Sequence, residues 1–512
     1  MRITLPHALQ PVDELDERAR EQGLHMVLRD GVTSQIMGTL TGGPFLVAFV
    51  LALGGSTLTV GLIAALGPFS QMLQVPAIYL VEWARRRKAL VVLITAASRL
   101  FWLPVALLPW LAPPAARIPL LIACVFAYFA LGTISGLAFN SWMRDLIPSN
   151  RMGSVFSRRL ALGTAIGAIL SLFAGLLVDL LSQRVDRVSI YAWYLGLGGL
   201  IGLGGVSFLA RIPEPRMPTK EVRSVFGILR MPLRDRNFRR LLLFLGSWSF
   251  AVNLATPFFV VYMLRRLHLG MTEILSLTVL SQAFNVGFYR LWGSLADRYG
   301  NKAVLLEAGP LLIFVTMIWP FTGRLQDQPM ILLPLLISIH ALSGISTAGV
   351  TLCTGNLALK LAPSGHATAY LAVNALVSGL AAMLAPILGG YLSSRLQQQT
   401  LSMNLQWSSA QEVILNLPTL QFRGLDFVFL LSLLVGLYAM HRLLAVKELG
   451  KSESPELVTE ARLEVRKVVR SVTSVAGLRD LFYFPYAWLM VLIERDPWPL
   501  TPDDQTPEAR SR

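Results

Sequence analysis

Charge is what this sequence has least of. Asp, Glu, Lys and Arg make up 15% of its 512 residues, against about a quarter in a soluble globular chain. That deficit excludes the string of water-soluble domains that the length alone would suggest. Cysteine is nearly missing: Cys124 and Cys353 are the two, and both fall in apolar runs. No disulfide framework and no metal site follow from them. The first thirty residues, with "DELDERAREQ", lack an apolar h-region, so no cleavable signal peptide is read there. The sequence also has no HExxH, no Walker loop and no GxSxG elbow, and therefore no motif for an enzyme or a bound cofactor.

Long apolar runs are what it does have. Hydrophobic residues make up 54%, and runs of about 18 or more such residues are transmembrane candidates. Twelve are read, at 32–54, 57–82, 89–112, 117–141, 159–182 and 189–211, then at 240–264, 272–295, 303–323, 330–359, 367–394 and 424–446. Their length and lack of alternation predict helices, not barrel strands. The net charge of +15 does not point to nucleic acid, because no basic-aromatic module accompanies it. It gathers in alternate loops instead: Arg85 to Lys88 between spans 2 and 3, Arg144, Arg151, Arg158 and Arg159 between spans 4 and 5, and a basic run between spans 6 and 7. The positive-inside rule then puts both termini in the cytoplasm, with the bilayer of the plasma (inner) membrane as solvent. The expected organisation is a cytoplasmic segment (1–30), a six-helix bundle (31–211), a linker (212–239), a second bundle (240–446) and a cytoplasmic tail (447–512). Within the tail, "LFYFPYAWLMVLI" (481–493) is too short to span and is expected at the membrane surface, with Arg466, Lys467, Arg470 and Arg479 near anionic headgroups. Residues 396–423 are expected to be a long outer loop.

The halves echo each other about 215 residues apart. "DLIPSNR" (145–151) precedes span 5 and "KLAPSGH" (360–366) precedes span 11. At the same offset Gly175 aligns with Gly390, and Asp297 with Glu82. Repeated six-helix halves are the signature of a transporter with a central site between them.

Three stretches carry a resemblance. "GSLADRYGNK" (293–302) is similar to the charged loop motif of the major facilitator superfamily (MFS), "DLIPSNRMG" (145–153) resembles its loop between spans 4 and 5, and "APILGG" (385–390) its Gly-Pro-rich motif, here in span 11. The resemblance covers residues 30–446. It implies an all-α membrane protein of twelve helices in two pseudo-symmetric bundles. It also implies secondary active or facilitated transport of a small solute by alternating access. A non-transporting receptor or scaffold and an integral-membrane enzyme are the rival classes.

The resemblance further implies a latch. Asp297 would meet the positive first turn of span 5, with Arg158 and Arg159 beside it. Gly293 and Gly300 would permit close approach and a turn, Arg298 and Lys302 complete the motif, and Glu82 would do the same against span 11. Such contacts exist only when the cytoplasmic side is closed. Spans 1, 4, 7 and 10 would line the cavity. Polar residues inside spans are site candidates by default: Gln35, Thr39, Asn140, Asn253, Thr256, Gln282, Asn285, Tyr289, His340, Ser343 and Thr347. Arg99, roughly 16 Å into span 3, needs a partner or an anion, and Arg290 a pair or an anionic path. Asp179 and Glu307 fall near span ends, so no mid-span carboxylate suggests proton coupling. His340 is the mid-span group with a suitable ordinary pKa. The partners implied are a small solute, lipid and a coupling ion (proton or sodium). No cofactor, metal or nucleic acid is implied, and a monomer is expected.

Overall fold

A computed structural model of the chain describes residues 16–84, 86–148, 151–216, 231–363, 367–409 and 412–448. Residues 1–451 form one compact unit and 452–512 a second. The second unit, with the 481–493 run and its flanking arginines and lysine, lies outside the described residues, as do 217–230 of the linker and Ser364 before span 11.

Span 1 is α1 (Glu17–Thr41) and α2 (Gly43–Ala52), span 2 is α3 (Thr57–Gln71) and α4 (Gln74–Ala84), and span 3 is α5 (Arg87–Leu100) and α6 (Trp102–Leu111). Spans 4, 5 and 6 are α7 (Pro114–Leu146), α8 (Met152–Leu181) and α9 (Arg187–Leu209). The second half repeats the set with α10 (Arg236–Arg265), α11 (Met271–Tyr299), α12 (Asn301–Thr322), α13 (Pro329–Lys360), α14 (Ala367–Arg395) and α15 (Leu425–Leu444). Among the described residues, ten helical stretches are long and apolar enough to cross a membrane. The other two spans differ for physical reasons. Span 2 breaks between α3 and α4, where Pro76 has no N–H to give the Met72 carbonyl. Span 8 has the length, but Thr278, Gln282, Asn285 and Arg290 dilute its hydropathy.

Span 1 starts earlier than its hydropathy suggests. The helix begins at Glu17 and breaks at Gly42 and Gly43, the latter with φ +51° ahead of Pro44. Residues 17–30 are thus turns of α1. Residues 396–423 are not an open loop: β1 (Thr400–Ser409) and β2 (Glu412–Arg423) pair antiparallel, with Thr400 opposite Arg423 and Ser409 opposite Glu412. The apolar-polar alternation of "LSMNLQWS" is the strand signal.

The faces are named for the loop-charge expectation: outer where spans 1 and 2 are joined, inner where 2 and 3 are joined. Span 11 packs along span 2, and span 8 along span 5, so these pairs join the halves. Near the outer face one apolar cluster holds Phe45, Phe49 and Val60 from the first half with Leu254, Phe258 and Leu275 from the second.

Candidate functional site

The junction between the halves is built from two related clamps. Span 5 presents Gly175 to the start of span 8; a methyl group there would stand 2.8 Å from Leu275 Cδ1 and 3.3 Å from the Met271 carbonyl oxygen. One turn on, the Asp179 carboxylate accepts hydrogen bonds from the Met271 N–H (2.9 Å) and the Thr272 N–H (2.8 Å). The first N–H groups of a helix have no partner within it and carry partial positive charge. Asp179 supplies both an acceptor and an opposite charge. Glu273 reaches back to the Gly270 N–H at 2.9 Å, so three N–H groups of this end are satisfied. The second clamp repeats the geometry at the repeat offset. Gly390 of span 11 lies against span 2, where a methyl would be 2.7 Å from the Thr57 carbonyl oxygen. One turn on, the Ser394 and Thr57 hydroxyls are 2.8 Å apart. Gly61 presses on the Pro386 carbonyl, and Arg265 donates to the Gly55 carbonyl at 3.0 Å.

Below the clamps, the first half holds a cavity of about 560 Å³ lined by Ser34, Gln71, Thr95, Tyr128, Asn140 and Arg159, among others. Its floor is a charge cluster. Asp30 is 2% exposed and Arg99 6%. Arg99 donates to Asp30 Oδ1 (3.3 Å), to Ser34 Oγ (2.7 Å) and to the Gly202 carbonyl. Arg159 donates from Nη2 to Asp30 Oδ2 at 3.2 Å, with its guanidinium 5.3 Å from the Phe139 ring centre. Gly31 makes room for that side chain, since a methyl there would fall 2.6 Å from Arg159 Cγ. Arg99 thus finds the partner its depth requires. Sequence reading missed Asp30, because a hydropathy window closes where a charge appears.

At the inner face the motif stretch is mostly helix. Span 8 runs unbroken through Gly293, Asp297 and Arg298 to Tyr299, and Gly300 makes the turn alone at φ +99°. Arg290, Gly293, Ser294, Asp297 and Arg298 line an open recess there. Span 9 begins at Asn301, and Glu448, just past span 12, accepts from the N–H groups of Asn301 (3.0 Å) and Lys302 (2.8 Å). Glu214, just past span 6, does the same for Arg87 (2.8 Å) and Lys88 (3.1 Å) at the start of span 3. Burial pushes the Glu214 carboxyl up, against the pull of the Lys88 and Arg87 N–H groups and the Arg87 guanidinium. Burial also acts upward on Glu448, but its bonds to Lys302 and Asn301 hold it below the ordinary value. Arg158 is half-buried at the start of span 5, and Glu82 sits on α4 with its side chain outside the described set.

The remaining candidates divide by their bonds. Gln35 and Thr39 lie against the Gly163 and Gly167 face of span 5. Asn253 and Thr256 donate to their own helix, to the carbonyls of Ser249 and Val252. Asn285 donates to the Gly344 carbonyl at 3.3 Å, tying span 8 to span 10. Gln282 is exposed, and Tyr289, Ser343 and Thr347 are half-buried. His340 packs edge-on against Trp319, ring centres 5.8 Å apart, with Nε2 buried and unbonded among the described residues.

Residues 31–386 match the family model described as Major Facilitator Superfamily. Three solved structures share the fold at low identity. A point-mutant form of the nucleoside transporter NupG is 13% identical with a TM-score of 0.60, covering 83% of this chain and all of that one. A bacterial homologue of the iron transporter ferroportin, in an inward-facing state, is 14% identical with a TM-score of 0.59, covering 84% and 99%. A D-xylose-proton symporter is 14% identical with a TM-score of 0.53, covering 84% and 97%. A search of curated proteins finds no significant sequence match.

Proposed function

We propose a working cycle for this chain, which belongs to the Major Facilitator Superfamily and moves a small solute across the membrane by alternating access. It is a multi-pass membrane transporter, not an enzyme. The moving bodies are the six-span halves, 31–211 and 240–446, joined by the 212–239 linker. The chain works as a monomer in the plasma membrane with both termini in the cytoplasm. The observation that carries the cycle is the outer junction, where Asp179 caps span 8 across the halves and Ser394 meets Thr57. Contacts of this kind belong to one state of a rocking pair, the state closed outside and open to the cytoplasm.

In the opposite state the outer clamps part and the inner latch forms. Asp297 then reaches the first turn of span 5, flanked by Arg158 and Arg159. Gly293, Gly300, Arg298 and Lys302 shape the motif, and Glu82 serves span 11. Asp179 and Asp297 would do the same chemistry at opposite faces, each a carboxylate on the first turn of the neighbouring half's helix. The solute site lies between the halves, on Gln35, Thr39 and Asn140 in the first and on Asn253, Thr256, Gln282, Asn285, Tyr289, His340, Ser343 and Thr347 in the second. Transport is secondary active or facilitated, and a coupled ion, where the cycle uses one, is a proton or sodium; one structure of the same fold is a D-xylose-proton symporter.

Spin-label distances test the cycle in lipid nanodiscs. Pairs across the outer ends of spans 5 and 8, and across their inner ends, should each show a short and a long population. When one pair lengthens the other should shorten. A single unchanging distance at both faces would defeat alternating access for this chain.

A further inference from the structure

The charge cluster under the first-half cavity is unbalanced. Two guanidinium groups, Arg99 and Arg159, face one carboxylate, Asp30, and the lining holds no other acid among the described residues. The arginines are not equally committed. Arg99 is buried and spends its N–H groups on Asp30, Ser34 and the Gly202 carbonyl. Arg159 is 26% exposed. Among the described residues its hydrogen bond is the Nη2 contact to Asp30, and its buried Nε has no hydrogen-bond partner there. An arginine presents Nε and Nη2 as a fork that fits the two oxygens of a carboxylate or phosphate. In Arg159 the Nη2 prong is lent to Asp30, while Nε is buried against Gly31 of span 1, where a methyl would stand 2.7 Å from it.

Burying charge is costly unless it is paired. A cluster left with a net positive charge beside a solute-sized cavity therefore favours a ligand that brings the missing negative charge. The uncharged walls agree: Ser34, Thr95, Asn140, Gln71 and Gln74 can bond a polar body without adding charge of their own.

We propose that this cavity takes a small solute bearing an oxyanion, a carboxylate or a phosphate, whose oxygen takes over the Arg159 Nη2 that Asp30 now holds, with Asp30 as the internal stand-in that gives way. Arg99 positions Asp30 and does not touch the solute. This rests on the transport reading and goes beyond its site between the halves: the cavity is lined by first-half residues, with Asn140 the one member of that site among them, and the inference names the class of solute it takes.

The test is binding by the purified full-length protein in detergent, at constant ionic strength with chloride as reference anion. The probes are inorganic phosphate and lactate, with glycerol as neutral control. Arginine modification by phenylglyoxal, read at Arg159 by mass spectrometry, should be slowed saturably by phosphate, lactate or both, and not by glycerol. Protection by one probe alone identifies which oxyanion the cavity prefers. Thermal unfolding should rise with the same probe. Arg159→Gln should lose that saturable rise, and Asp30→Asn should tighten its apparent Kd by about tenfold, because the internal competitor has lost its charge. A merely structural pair would make Asp30→Asn less stable without tightening anything. The protection assay needs no variant, so a variant that fails to fold leaves the proposal exposed. It is overturned if neither probe protects Arg159, or if the thermal rise persists unchanged in Arg159→Gln. Either result leaves the alternating cycle standing, because that cycle is read from label distances.

Discussion

At the scale of single residues, the two carboxylates that matter most were legible as letters and not as partners. Asp179 reads as an acid near a span end, and nothing in its neighbourhood announces a role. Its partners are backbone N–H groups 92 and 93 residues away, which carry no sequence signature. Asp30 reads as part of a polar lead-in, because its neutralising arginines lie 69 and 129 residues further on. Asp179→Asn tests the first reading. The substitution keeps the shape, removes the charge and turns an acceptor into a donor facing an N–H group. The outer-closed state should lose on the order of 1 kcal/mol, about a fivefold population shift. Labels across the outer ends of spans 5 and 8 should then report more of the long distance. An unaltered distribution would mean that the carboxylate is incidental to closure.

At the scale of elements, hydropathy located the spans well because a membrane helix must satisfy its backbone internally. It failed where length and polarity part company. The first helix extends to Glu17 because charged residues can be helical once they lie beyond the apolar core or find partners. The 396–423 stretch reads as a loop by its place between two spans, although its alternation is that of strands. The repeat was the most informative element-level signal. Its glycine pair, Gly175 and Gly390, marks both outer clamps, and its offset also pairs Thr57 with Thr272 and Ser394 with Asp179. Gly61 makes the element-level prediction. A side chain there collides with the Pro386 carbonyl, which is backbone and cannot turn aside. Gly61→Val should hold spans 2 and 11 apart at the outer face while leaving each half folded. The expected result is a longer label distance between those spans with little loss of thermal stability. A normal short distance would show that span 2 can bend around the added bulk at its break.

At the scale of the whole molecule, the two proposed latches oppose each other. Weakening one favours the state held by the other, so Asp297→Asn should shift populations in the direction opposite to Asp179→Asn. The expected size is again about 1 kcal/mol. In reconstituted vesicles both variants should slow net uptake of whichever solute the protein carries, because a cycle needs both states. Combining them should restore the balance of populations towards that of the parent. A double variant that sits no closer to the parent than either single one would separate the two faces energetically. The family and the twelve-span plan were legible from the chain alone. The location of the cavity floor was not, because it is assembled from spans 1, 3 and 5 by ion pairs.

The Asp179 clamp also has a bearing on how such a protein can change over generations. Its acceptor is a side chain, but its donors are main-chain groups at Met271 and Thr272. Those two positions can exchange side chains without touching the bond, provided neither becomes proline. Position 179 has no such freedom. The contact therefore leaves no pair of positions that must change together. In a comparison of relatives it would show as one constrained acid facing two variable neighbours, and a search for correlated substitutions would pass over this joint between spans 5 and 8.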